Sequence, residues 1–240
     1  MGMPVTVEIV DASAKQQDFE EVFSYFQYID EKFSTYKENS EITKINRREL
    51  PDAMYSDDMR LIFALCEETK KLTNGYFDIV TPQGMYDPSG LVKGWSIYNA
   101  ANILKEKGFN SFYVDVAGDI QPHGRKEGEK WKVGIRNPFN RNEIIKVLHV
   151  SEEGVATSGT YIRGQHIYNP FDKNSNLTDV VSLSVVGPNI YEADRFATAA
   201  FAMGKKGIDF IAQLNGFEAY MIDKDGVATM TQNFNKYTLP

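Results

Sequence analysis

The chain reads as an α+β protein with mixed or antiparallel sheets. Three observations carry that reading. Helical and strand patterns are interspersed without the strict alternation that builds a parallel doubly wound sheet. An aromatic stripe at three- and four-residue spacing marks a long early helix. Near the C-terminus, an Asp225-Gly226 pair separates two short apolar runs, the mark of a tight hairpin.

In order, the opening MPVTVEIV alternates Val5, Val7 and Ile9 with more polar neighbours, the period of a half-buried strand. Phe19, Val22, Phe23, Phe26, Ile29 and Phe33 then line one face of a helix over about 15–33. A polar STYKENS loop leads to a short helix from near Glu41, with Ser40 as its cap. A third helix over about 57–72 ends at Asn74-Gly75. Residues 74–94 follow no period and carry glycines, prolines, aromatics and aspartates, a composition that suits a binding loop. A helix over about 95–107 comes next, then strands near 112–116, 131–135 and 144–150, and later 179–186. The run EADRFATAAFAM predicts an alanine-rich helix closed by Gly204, and 205–214 a second one. The hairpin of 219–222 and 227–230 closes a single domain, 1–240, with no separable linker.

The chain has 240 residues, enough to bury a large core, and its 33 acidic against 26 basic residues carry no basic block that would track a nucleic acid. The one cysteine, Cys66, lies in a helical apolar pattern and reads as core. No apolar run reaches the roughly 18 residues a membrane span needs, and the start reads as a strand instead of a signal peptide. The chain is therefore expected in the cytoplasm as it stands, or on the exported side if an N-terminal signal has been removed.

Walker, GxGxxG, HExxH, paired CxxC and GxSxG patterns are all missing. Asp194 and Thr198 fall four apart on the alanine-rich helix, so a carboxylate and a hydroxyl share one face. Both are hard oxygen donors, and magnesium takes one or two carboxylates with phosphates or waters filling the other positions. Lys93, in SGLVKGW, stands between glycines just before a helix start, a natural place for phosphate. His166 lies among small and polar residues that suggest a cleft. Plainer readings stay open at this level: a helix-start aspartate, a packing threonine, an exposed lysine and a structural imidazole.

Taken in order, MGMPVTVEI, FSTYKENSEITKIN, GYFDIV, DPSGLVKGW, VDVAGDI, WKVGIRNP, GVATSGTYIRGQHIYNP and EADRFATAAFAMG resemble the ApbE-type FAD:protein FMN transferases over almost the whole chain. The resemblance implies two interleaved α/β subdomains with FAD in the cleft between them and Mg²⁺ at the pyrophosphate. It implies Asp194 and Thr198 as metal-binding side chains, with the carbonyls of Gly90 and Ala197. Tyr36 corresponds to the aromatic that stacks on the flavin, with Met3 beside it. Asn46, Asp78, Ile79, Val80, Asp87 and Lys93 match FAD-contacting positions, and His166 the histidine proposed to act in catalysis.

Where the family's histidine segment reads HIIDPxTG, this chain has HIYNPFDK, and a usual asparagine and glycine pair appear as Asp115 and Ala117-Gly118. The implied reaction is attack of a threonine of an acceptor flavoprotein on the FMN-side phosphorus of FAD, releasing AMP. Two alternatives share the site: hydrolysis of FAD to FMN and AMP, and FAD binding without turnover. The segment DGVATMT loosely resembles the acceptor motif such enzymes modify, with Thr231 at the acceptor position.

Overall fold

The computed structural model describes residues 2–140, 142–159, 167–171 and 179–239. Strand β1 (Val5–Ile9) leads into helix α1 (Gln16–Phe33), followed by α2 (Glu41–Asn46) and α3 (Asp57–Leu72). The Ser40 and Ser56 hydroxyls accept the Thr43 and Met59 amides and so start α2 and α3. Helix α4 (Ser89–Glu106) precedes β2 (Phe112–Val116), β3 (Asp119–His123), β4 (Trp131–Arg136), β5 (Ile144–Val150), β6 (Gly154–Gly159) and β7 (Val180–Gly187). Helices α5 (Ile190–Ala202) and α6 (Gly207–Ala212) and strands β8 (Glu218–Asp223) and β9 (Ala228–Met230) complete the order.

Seven strands form one sheet in the order β1-β2-β3-β6-β7-β8-β9, and β4 and β5 pair separately. Among the described residues every ladder is antiparallel, as the missing βαβ rhythm predicts. On one face of the sheet, Ile97, Ala100 and Leu104 of α4 and Ala193, Ala197 and Phe201 of α5 pack on Val114, Leu183, Val185 and Met221. On the other, Trp131, Val133 and Leu148 of the β4–β5 pair cover Val155, Val186 and Tyr220. Strand β7 is thereby buried on both faces, which explains its nearly continuous apolar run. Helices α1, α2 and α3 bury Ile29, Phe33, Ile42, Met59, Ile62 and Cys66 against Leu91 and Val92 of α4. Among the described residues, no helix is long and apolar enough to cross a membrane.

Two expectations are corrected. Helix α4 begins at Ser89, six residues before the sequence suggested, so Lys93 lies inside it. Its glycines are there for a close crossing. A β-carbon on Gly94 would stand 2.6 Å from the Asp194 β-carbon, and one on Gly90 3.0 Å from Thr198 Cγ2. Strands β3 and β6 were not anticipated, because β3 turns Asp119 and Gln121 inward and β6 opens on Gly154, where a β-carbon would lie 2.0 Å from the Ile190 amide.

Candidate active site

The close α4–α5 crossing builds the floor of the site. With no side chain on Gly94, its amide donates to Asp194 Oδ2 at 2.7 Å. A regular helix sends that donor to the carbonyl four residues back, here Gly90, so the carboxylate competes for it. The Gly90 carbonyl accepts from the Thr198 hydroxyl at 3.4 Å. One turn of α5 thus presents Asp194 and Thr198 to the first turn of α4, as the four-residue spacing predicts.

Lys93 is shared by two neighbouring carboxylates. Its ammonium touches Asp119 Oδ2 and stands 3.6 Å from Asp194 Oδ1, and the two acidic side chains are 2% and 4% exposed. Asp194 is held well above the usual carboxylate range, first by burial; Lys93 opposes the shift, Asp119 adds to it and the Gly94 amide opposes it. Two buried carboxylates sharing one ammonium leave an excess negative charge out of water, an expensive state without a further cation. A second cation beside Asp194, Thr198 Oγ1 and the Gly90 carbonyl would relieve it. Among the described residues no group of three or more His, Cys, Asp or Glu side chains gathers into a metal site. A sparse, all-oxygen set of this kind fits magnesium and not a metal that wants nitrogen or sulfur.

From this floor a cavity opens between Gly90, Lys93, Asp194 and Thr198 on one side and Ala117, Thr157, Ser158 and Gly159 on the other. Met3, Asp87, Ser89 and Lys93 also line a second hollow, which runs out to Phe33, Ser34 and Tyr36, so the two are continuous. Tyr36 is 93% exposed at that outer end, a flat aromatic surface that packs on little among the described residues.

The residues that separate in sequence are therefore brought together for the most part. Met3, Asp78, Asp87, Gly90, Lys93, Asp194 and Thr198 line the inner cavity, and Tyr36 the outer. Asn46 does not reach either. Its side-chain amide donates to the Tyr86 carbonyl and accepts the Tyr86 amide, at 2.9 and 2.7 Å, pinning the 79–87 segment. That segment is an ordered small hairpin, closed by Asp87 N–H to the Ile79 carbonyl and by pairing of Val80 with Tyr86. Asp78 ion-pairs Lys70 at 2.8 Å and accepts the Val80 amide, while Ile79 packs inward and Val80 is exposed. Ala197 is buried in the core and is not among the cavity residues. His166 lies outside the described residues. Thr231 is buried, with its hydroxyl given to Glu218 and accepting the Ala219 amide, so it is not presented as an acceptor.

Asp119 and Tyr168 were missed. Asp119 opens β3, where the period of two turns it and Gln121 inward and leaves Ile120 at the interface between sheets, and inward polar residues in a short strand are the available signal. Tyr168 donates to the Val80 carbonyl at 2.7 Å, tying the stretch after His166 to the 79–87 hairpin.

The chain resembles known proteins in sequence and in fold. A family model described as the ApbE family matches residues 1–83 and 80–221. The chain is similar to a curated FAD:protein FMN transferase of Klebsiella pneumoniae (strain 342), 26% identical over 60% of this chain and 44% of that relative. It thus spans less than half the length of that relative in the matched region. A relative of the same name from Haemophilus influenzae is 21% identical over 99% of this chain and 89% of its own. The solved structure of the flavin transferase ApbE from Vibrio cholerae superposes with a TM-score of 0.85 at 20% identity, over 99% of this chain and 96% of that one, showing the same fold.

Proposed function

The chain belongs to the ApbE family, and from that premise we propose that it is an FAD:protein FMN transferase, which moves the FMN half of FAD onto a threonine of an acceptor protein. One observation carries the proposal. A buried, negatively overcharged group of Asp194, Asp119 and Lys93, with the oxygens of Thr198 and Gly90, sits at the inner end of a groove whose outer end presents Tyr36. A dinucleotide with an aromatic ring at one end and a pyrophosphate further in fits that order of features.

The isoalloxazine stacks on Tyr36 beside Met3, and the pyrophosphate lies over the α4 first turn, within reach of the Lys93 ammonium. Asp194, Thr198 Oγ1 and the Gly90 carbonyl would hold magnesium, whose charge, when bound, offsets that of the pyrophosphate oxygens. The acceptor threonine Oγ forms a bond to the FMN-side phosphorus as the bond from that phosphorus to the bridging oxygen breaks. AMP leaves with that oxygen. The hydroxyl proton passes to a base, which we assign to His166. Positioning and charge stabilisation do most of the work in such transfers. Lys93 supplies charge at the leaving side, and Asp87, at the junction of the two hollows, lines the path of the pyrophosphate.

The test incubates the chain with FAD, Mg²⁺ and an acceptor domain bearing a target threonine, and follows acceptor mass. FMN addition is expected with Mg²⁺ and not with EDTA, and is expected to be lost in Asp194→Ala. AMP release without any acceptor modification would replace transfer by hydrolysis.

A further inference from the structure

Asp119 stands behind the cavity wall and not on it, yet it makes the tightest contact that the Lys93 ammonium has with either carboxylate. Its own position is fixed from two directions. Through β3 it pairs with Val116 across the Ala117-Gly118 turn. Through its side chain, Oδ1 accepts the Thr157 amide at 2.9 Å. Strands β3 and β6 share one paired position, Ile120 with Val155, and beyond it the carboxylate meets an amide that a continued ladder would give to backbone. Among the described residues Oδ2 is buried without a neutral donor, and it faces the lysine. Asp119 is therefore a rigid negative charge, built into the sheet beside Asp194, that shares the Lys93 ammonium with it and makes the closer contact.

We propose that Asp119 is a positioning residue that draws the Lys93 ammonium off Asp194, leaving Asp194 Oδ1 open to a divalent cation while the ammonium faces the substrate pyrophosphate. The inference rests on the transferase reading above. Without Asp119, the lysine has one buried carboxylate left to neutralise, and that carboxylate is the one the cation needs. Lysine and cation then compete for the same oxygen.

The deciding variant is Asp119→Asn. Its amide oxygen still accepts the Thr157 N–H, while its NH₂ replaces the charge that holds Lys93. Calorimetric titration with MgCl₂ alone compares wild type, Asp119→Asn, Lys93→Met and the double variant, with thermal unfolding in EDTA run alongside. Asp119→Asn is expected to bind Mg²⁺ about tenfold more weakly or worse, the range that loss of an outer supporting group costs a metal site. Adding Lys93→Met is expected to restore the affinity, because the competitor is gone, and Asp119→Glu is expected to keep it. A merely structural Asp119 would instead lower the melting temperature in EDTA and leave Mg²⁺ affinity where it was.

Mg²⁺ affinity of a folded Asp119→Asn equal to wild type overturns the proposal, as does failure of Lys93→Met to rescue it. If Asp119→Asn does not fold, weak Mg²⁺ binding by Asp119→Glu overturns it in turn. If wild type transfers FMN and binds Mg²⁺ while the variants match it, only this inference falls. If wild type does neither, the transferase reading falls and takes this with it.

Discussion

Gly94→Ala is a change of one methyl group with an effect opposite in sign to what its helix alone dictates. In an isolated helix, alanine in place of glycine adds about 1 kcal/mol of stability. In this protein the new carbon would lie 2.6 Å from Asp194 Cβ, 2.8 Å from the Ile190 carbonyl oxygen and 3.0 Å from Asp194 Oδ2. Carbon atoms rest at about 3.5–4.0 Å, so α4 and α5 must part by roughly 1 Å. Overpacking of that kind costs about 1–3 kcal/mol. The Gly94 amide to Asp194 bond, now 2.7 Å, opens with it, and a buried hydrogen bond to a charged group is worth about 1.5–3 kcal/mol. After the helix gain is subtracted, the net loss is about 1.5–5 kcal/mol, or roughly 3–20 °C in melting temperature for a domain of this size. Differential scanning calorimetry in EDTA reads the stability, and FMN transfer reads the displaced Asp194. A variant as stable as wild type with unaltered transfer would refute both the crossing and the role given to Gly94.

Other perturbations bear on separate parts of the site. Ala117 is held at φ 54°, a left-handed conformation that costs a residue with a β-carbon about 1–2 kcal/mol. Ala117→Gly relieves it against an unfolded-state entropy cost of about 0.4–1 kcal/mol, so a rise of a few degrees in melting temperature is expected, and a fall would contradict the strained turn. Asp194 has a native carboxyl value raised above its ordinary 3.8, so between the two values the folded state holds the proton more firmly than the unfolded chain. Metal-free wild type is therefore expected to lose stability relative to Asp194→Asn as pH rises from about 4 towards neutrality. Mg²⁺ should recover that loss only for wild type, as read by melting curves with and without EDTA. Tyr36→Ala, at a residue 93% exposed, should leave stability unchanged while weakening FAD binding by about 1–3 kcal/mol, the value of one stacked ring. Tyr36→Phe should bind as wild type does, and a fluorescence titration of FAD distinguishes the two.

What the amino-acid order discloses depends on the range over which each feature is decided. The stripe of α1 is local, and Val22, Phe26, Ile29 and Phe33 are buried as its spacing requires, whereas Phe23, placed on the same stripe, is exposed, one position round the helix from Val22. The Asp194–Thr198 pair is local too, because one helix turn sets both directions. The hairpin at 225–226 is present but wider than a two-residue turn, since Ile222 pairs with Ala228 and the Asp223 carboxylate caps the loop through the Asp225 and Val227 amides. Beyond these, the legible signal weakens where neighbours come from elsewhere in the chain. Asn46 reads as a nucleotide contact and instead pins Tyr86. Asp119 acquires its meaning only when β3 is laid beside α4.

Gly90 and Gly94 show why the least legible stretch is also the one that matters. Read locally, two glycines four apart argue for loop and push the helix start downstream. In the fold, the same absence of side chains lets α5 approach until Asp194 reaches a backbone amide of α4 and Thr198 meets the Gly90 carbonyl. Alanines there would make a better helix and a wider crossing, with the carboxylate and hydroxyl standing apart from the carbonyl. Local propensity is thus set aside where convergence of oxygens requires it, which is the kind of conflict between levels that marks a working site.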